Sequence, residues 1–253
     1  MSKKREGMYL YCIIETRESK EFGPIGIGGR GDEVYTVIYR DLAIVVSNTP
    51  IKVFTPVKKN ALAHQKVIAE VMKGFTVIPM SFGVVFKTKK DIRELLEQAY
   101  HDIKDLLCKL ENRIELGLKV FWKRESFASD IEKADPQITR LKQELASLPP
   151  NKIYHEKIRL GSLVQSVVEE KRHFYTEKIY DQLKQYAADA RLNSPIVERM
   201  ILNSAFLVDK DREQEFDEKV NDIYLYYSDI LEFKYSGPWP PYNFISLKLN
   251  CES

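Results

Sequence analysis

Apolar residues recur along the chain with two periods, and the alternation between them outlines the fold. Met8 to Glu15, Met-Tyr-Leu-Tyr-Cys-Ile-Ile-Glu, is rich in β-branched and aromatic residues and reads as a strand. Glu33–Tyr39 and Leu42–Asn48 read the same way, with Arg40-Asp41 between them short enough for a hairpin turn. Residues 49–57 hold Pro50 and Pro56 and read as a loop. Lys58 to Lys73 predicts a helix with Leu62, Ile68, Ala69 and Met72 towards the core and Gly74 as its stop. From Phe75 to Phe86 the pattern is β-like but interrupted by Pro79 and Gly83, which predicts two short strands or one bulged strand. Asp91 to Leu110 carries Ile92, Leu95, Leu96, Ala99, Ile103, Leu106, Leu107 and Leu110 on one stripe. It predicts an amphipathic helix that must bury that stripe on a sheet.

Beyond residue 111 the order changes. Ile114 to Trp122 alternates Ile114, Leu116, Leu118 and Val120 with Glu115, Gly117 and Lys119, as a half-buried strand requires. Ser126–Leu148 is helical, with Ile138, Leu141, Leu145 and Leu148 spaced by three or four and Pro149-Pro150 ending it. Residues 153–191 form a long helical segment whose stripe includes Leu160, Leu163, Val164, Val167, Phe174, Ile179, Leu183 and Ala187, with Gly161 as a candidate break. Met200–Val208 is a strand. Asp211 starts a helix carrying Phe216, Val220, Ile223, Tyr224 and Tyr227. Ile230–Tyr235 and Asn243–Leu249 are β-like and flank Ser236-Gly-Pro-Trp-Pro-Pro-Tyr242. This order fits two α+β domains better than one α/β sheet, the second resembling a split βαβ arrangement with helices covering one face of an antiparallel sheet. The boundaries drawn are 1–110 for the N-terminal domain, 111–236 for the C-terminal domain with a helical insertion at about 125–191, and 237–253 for a tail packing across the two.

Composition narrows the function. The chain has 253 residues, with Lys plus Arg 39 and Asp plus Glu 37, a formal net charge of +2. That near-balance gives no global field for nucleic acid. No apolar run approaches the ~20 residues of a membrane helix, and the N-terminal Met-Ser-Lys-Lys-Arg-Glu lacks a signal-like apolar region. Cys12, Cys108 and Cys251 are odd in number and far apart, which fits free thiols in a reducing compartment and predicts a cytoplasmic protein.

Candidate chemistry is sparse. Gly26-Ile-Gly28-Gly-Arg-Gly31 spells a dinucleotide-binding text, but Asp32 onward reads as a strand rather than a helix, and Ile51 stands where a ribose-binding acid belongs, so a flexible loop is expected. His64, His101, His155 and His173 show no metal-ligand spacing. His64 and His101 lie on helices and are expected at surface or rim positions. Glu169-Glu170 beside Lys171-Arg172 reads as a solvated helix face. No catalytic constellation, cofactor or metal is predicted. Gly237-Pro238-Trp239-Pro240-Pro241-Tyr242 is the distinctive stretch. Three prolines around a tryptophan make it a rigid extended segment with an aromatic anchor, used either to pin the tail across the domains or to dock a partner.

Taken together, these residues resemble the gas vesicle protein F/L family along nearly the whole chain. Tyr9-Leu-Tyr-Cys-Ile13 and Leu42-Ala-Ile-Val-Val-Ser47 look like the family's opening strands, and Val77 to Phe86 like its Pro-x-x-Phe-Gly-x-x-Phe segment through Pro79, Phe82, Gly83 and Phe86. Ile114 to Val120 is similar to its Glu-x-Gly-x-Lys strand, Ala205–Val208 precedes a helix as in the family, and Gly237–Tyr242 is the most specific match. Ser81 and Val84 depart from the Arg and Thr common there. The resemblance implies two α+β domains, the second ferredoxin-like with a coiled-coil-like helical extension. It also implies a non-enzymatic accessory or minor structural protein of gas vesicle formation, located at gas vesicles within the cytoplasm. It would bind the small hydrophobic shell protein and other accessory vesicle proteins during nucleation or assembly, with the gas-facing surface as a place of action, and serve buoyancy. Tyr224, Tyr226 and Tyr227, the helical segment 153–191 and the Trp239 tail are its candidate covering surfaces. The competing reading is a small-ligand-binding or enzymatic domain on a ferredoxin-like scaffold, which predicts a pocket with convergent polar groups. A Trp239 buried in a domain seam predicts that Trp239→Ala lowers stability by roughly 3–5 kcal/mol in thermal unfolding.

Overall fold

The computed structural model describes residues 6–149 and 153–247. Residues 1–5, Pro150, Cys251 and the end of the predicted Asn243–Leu249 strand lie outside the described residues. The fold is mixed α+β with antiparallel pairing, in two compact units: 1–115 together with 238–253, and 116–237.

The first unit is organised on one strand. In β1 (Glu6–Glu15) every residue from Gly7 to Ile14 is buried, so both faces of the strand are covered. It pairs antiparallel with β4 (Leu42–Pro50) from Glu6↔Pro50 to Glu15↔Leu42. A bulge between Leu10 and Cys12 breaks the alternation, so that Tyr9, Tyr11 and Cys12 all join one core cluster. β3 (Val34–Tyr39) forms a hairpin with β4 through Arg40-Asp41, Arg40 taking the left-handed φ of 56° that a two-residue turn needs. The short β2 (Glu21–Gly23), which has no clear pattern in the sequence, completes that edge. The region from Phe75 to Phe86 yields two short strands, β5 (Ile78–Pro79) and β6 (Val85–Phe86), both on β1.

Helices cover the sheet. α1 (Lys58–Met72) buries His64, Val67, Ile68 and Val71 against it. The predicted core positions Leu62 and Ala69 are instead exposed, because the apolar face is rotated and contains a histidine. Asp91–Leu110 forms two helices, α2 (Lys89–Gln98) and α3 (Tyr100–Leu110), meeting at the non-helical Ala99. Thr88 and Asp91 close a reciprocal capping box at the start of α2. The buried stripe survives the break.

The second unit has the element order β7 (Arg113–Trp122), α4 (Arg124–Ala134), α5 (Pro136–Ser147), α6 (Ile153–Lys184), β8 (Asp189–Leu192), β9 (Met200–Asp209), α7 (Glu213–Tyr227) and β10 (Leu231–Trp239). Its sheet runs β10-β7-β9-β8, with α6 and α7 both packed on β9 and on each other. This is the split βαβ order, with α4 and α5 inserted before α6. The break in the predicted 126–148 helix falls at Asp135-Pro136, where Asp135 accepts from the Gln137 amide as an N-cap. Gly161 does not interrupt α6, which runs 32 residues, about 48 Å at helical rise. Its expected stripe is corrected at Phe174, which is exposed while the adjacent Tyr175 is buried.

Glu115 was expected on the polar face of its strand but is buried. Its carboxylate accepts from the Asn243 backbone amide at 2.8 Å and side-chain amide at 2.6 Å. Burial pushes its pKa upward and the two Asn243 donors oppose that shift. The clamp ties the first unit's last residues before the second unit to its first residues after it. Glu115→Ala strips both acceptors from Asn243 and is expected to lower stability by roughly 1–3 kcal/mol, read as a fall in thermal unfolding midpoint.

Candidate functional site

Two groupings of side chains stand out, one in each unit. In the first, β1 brings two tyrosine hydroxyls into a covered core where each needs partners. Tyr11 Oη pairs with Ser47 Oγ at 2.8 Å and accepts from the Ile27 amide at 2.7 Å. Tyr9 Oη accepts from the Gly83 amide at 2.9 Å and lies 3.0 Å from His64 Nδ1. His64 Nε2 lies 3.2 Å from the Met80 carbonyl oxygen. One assignment satisfies the chain of contacts. Met80 can only accept, so Nε2 carries the proton, Nδ1 accepts, and Tyr9 donates to it. Phe82 packs edge-on to both Tyr9 and His64, at 6.3 and 5.8 Å between ring centres. Gly83 has φ 91°, a left-handed turn that aims its amide at Tyr9.

The structure thus gathers Phe82 and Gly83 around His64, while Pro79 pairs with Cys12 in β5 and Phe86 pairs with Met8 in β6. Ser81 is exposed. His64 is a correction to the expected surface position. It belongs to the repeat His64, Val67, Ile68, Val71, and that spacing was the signal that could have found it. Burial holds the imidazole well below its ordinary range, at about 4. The cluster is neutral at pH 7 and acts as a clamp on residues 80–83. The glycine-rich loop is held by the other tyrosine. It takes left-handed φ at Gly28, Gly29 and Gly31 and leads to β3 rather than a helix, so it offers no helix N-terminus to a pyrophosphate. Cys12 is buried and its thiol pKa is pushed up by desolvation, whereas Cys108 is exposed. His101, His155 and His173 are exposed. Among the described residues, no group of three or more His, Cys, Asp or Glu could hold a metal ion.

In the second unit aromatic rings make a continuous path to the surface. Trp122 is fully buried, its indole N–H donating to Asp130 Oδ2 at 3.1 Å. Lys171 binds the other carboxylate oxygen at 3.0 Å. Tyr175 stands edge-on to Trp122 at 6.1 Å, with burial and the Asp130 charge pushing its hydroxyl up to about 12. From Tyr175 one step leads to Phe174 at 5.4 Å and another to Tyr227 at 5.8 Å, which meets Tyr226 at 4.8 Å. Both ends are open to solvent: Phe174 is 46% exposed and Tyr226 81%. Tyr224 and Leu225 beside them are 42% and 63% exposed. α7 buries Phe216, Val220 and Ile223, so this last turn points its remaining apolar side chains outward.

The tail divides differently from expectation. Gly237, Pro238 and Trp239 extend β10, an edge strand, which is where proline is tolerated. Pro240, Pro241 and Phe244 are buried, while Trp239 and Tyr242 are 37% and 39% exposed. Prolines and Phe244, rather than the two large aromatics, are the buried anchors. Trp239→Ala is therefore expected to cost well under the 3–5 kcal/mol of a fully buried tryptophan.

Residues 7–246 match the family model described as gas vesicle synthesis protein GvpL/GvpF. The chain belongs to the GvpL/GvpF family. It is 29% identical to gas vesicle protein F1 of Halobacterium salinarum over 98% of this chain and 96% of that one. It is 24% identical to gas vesicle protein L1 of the same organism over 94% and 90%. The crystal structure of GvpF from Microcystis aeruginosa superimposes with a TM-score of 0.80 at 26% identity, covering 95% of this chain and 99% of that one. GvpF from Anabaena, at 24% identity and TM-score 0.81, has the same fold. The family is one of gas vesicle accessory proteins rather than a known enzyme family.

The neutral His64 generates a pH prediction. The unfolded chain protonates it near 6.5 and the fold only near 4, so the unfolded state binds more protons between those values. Its contribution is fully present above about pH 6.5 and is lost as pH falls towards 4, on the order of 3 kcal/mol in all. Chemical denaturation across that window should show the decline, and His64→Gln should flatten it while lowering stability at pH 7.

Proposed function

We propose that this chain is a non-enzymatic accessory of gas vesicle formation that covers an apolar face of the small shell protein during nucleation or assembly. Family membership along residues 7–246 supports the role in vesicle formation and the association with gas vesicles. The finer reading rests on one observation: the exposed aromatic surface of α6 and the end of α7, where Phe174 and Tyr226 are the open ends of an edge-on ring path through Tyr175 and Tyr227, with Trp122 behind Tyr175 and Leu225 exposed beside Tyr226. Aromatics presented on a rigid base bind at low entropic cost, and a monomer with a large apolar face needs such a cover before it assembles. A chain of near-balanced charge, with among its described residues no helix able to cross a membrane, suits an escort or brace better than an apolar wall.

Co-expression with the shell protein followed by pull-down tests this. The wild-type chain should retain the shell protein, and the double variant Leu225→Ser, Tyr226→Ser should weaken retention about tenfold or more, since losing one anchor costs at least ~1.4 kcal/mol. Deleting the gene should stop vesicle formation. No association, or vesicles unaffected by the deletion, would sink the proposal. Washing purified vesicles and probing for the chain distinguishes a retained component from an escort that leaves.

A further inference from the structure

The chain's charges are balanced overall but not locally. Between Asp41 and Glu70 there is no acidic residue, while Lys52, Lys58, Lys59 and Lys66 fall in that interval. All four lysines are exposed, and among the described residues none is in an ion pair. The carboxylates that border the region are already engaged, Glu6 opposite Pro50 with Arg30 at 3.8 Å, and Glu70 with Lys73 at 2.7 Å.

Apolar side chains stand among these lysines. Ile51, Val53, Val57 and Leu62 are all exposed, Val53 at 95%. Single exposed apolar residues are ordinary, but four within one short stretch are not. The stretch is also fixed. Phe54 is buried edge-on to Tyr9 at 5.1 Å, Val57 N donates to the Thr55 carbonyl at 2.8 Å, and Asn60 Nδ2 donates to the same oxygen at 2.9 Å. Pro50 and Pro56 stiffen it further. On α1 the core face is His64, Val67, Ile68 and Val71. Helical periodicity then puts Lys59, Leu62 and Lys66 on one outward stripe, with Lys58 beside Leu62.

We infer that the face made by residues 51–57 and the outer stripe of α1 is a second docking surface, separate from the aromatic ridge, for an acidic amphipathic helix of a partner protein. Charge complementarity selects the occupant. Leu62, Val57 and Val53 receive its apolar side chains, and Lys58, Lys59 and Lys66 meet carboxylates along its margins, the arrangement by which a helix lies on an apolar strip and is oriented by charge. The inference does not depend on how the second unit acts.

The test uses the full chain and a labelled synthetic helix of about four turns with Leu on one face and Glu on the other. Fluorescence anisotropy should show binding that weakens with salt. Lys58→Glu, Lys59→Glu, Lys66→Glu together should weaken it at least about tenfold, as should Val53→Ser with Leu62→Ser. A helix with Lys in place of Glu should not bind. A readout that needs no variant is acetylation of the wild-type chain, in which the peptide should protect Lys58, Lys59 and Lys66. The inference is overturned if the acidic helix does not bind, if the variants bind it equally, or if those lysines stay unprotected. Adsorption to phosphatidylglycerol vesicles without binding of the peptide overturns it in favour of a lipid surface.

Discussion

The fold of the first unit hangs on a strand that is buried on both faces yet contains two tyrosines. A buried hydroxyl left without a partner costs on the order of 1–3 kcal/mol, so each must recruit polar groups from elsewhere in the chain. Tyr11 recruits Ser47 and the Ile27 amide, and so fixes the glycine-rich loop. Tyr9 recruits Gly83 and His64, and so fixes the turn between the two short strands. Two loops without regular structure are thereby held by one strand. The bulge at Leu10–Cys12 is what allows Tyr9 and Tyr11 to share a cluster with Cys12.

The second unit solves the same problem with a carboxylate. Asp130 takes the Trp122 indole N–H and the Lys171 ammonium, with the Tyr175 hydroxyl at 3.4 Å. That fixes the floor of the aromatic ridge and leaves Phe174 and Tyr226 presented at its ends. Exposed aromatics on a mobile surface would fold inward or aggregate. Here the rings behind them are locked by hydrogen bonds and edge-on contacts, which is the condition for a binding surface with little to lose on contact.

Much of the architecture was legible in the sequence because period and turn chemistry agreed there. The strands β1, β3 and β4, the two short strands around Pro79 and Gly83, and the strands β7, β9 and β10 follow from alternation and punctuation, whereas β8 (Asp189–Leu192) falls where the helical segment 153–191 was expected to continue past Lys184. What escaped was set by tertiary partners. Glu115 looks polar-face by alternation, but Asn243, far along the chain, makes its burial possible. His64 looks like a surface histidine until Tyr9 and Met80 supply its contacts. Phe174 was expected on the buried stripe, but it is Tyr175 that is buried, with its hydroxyl 3.4 Å from Asp130. Among the candidate residues, Phe82, Gly83 and Tyr227 are in contact networks, and Tyr224 is partly exposed. In the tail the large aromatics drew attention, yet Pro240, Pro241 and Phe244 are buried more deeply.

The Glu115–Asn243 clamp has a consequence for synthesis. The first unit is interrupted: its chain leaves at residue 115 and resumes at 238. A ribosome making roughly 5–20 residues per second needs roughly 6–24 s to cover the intervening stretch. Through that interval the N-terminal sheet waits without Phe244 and its prolines, while the second unit can complete itself as it emerges. Phe244 and the prolines before it can therefore join the first unit only after the whole of residues 116–237 has been made.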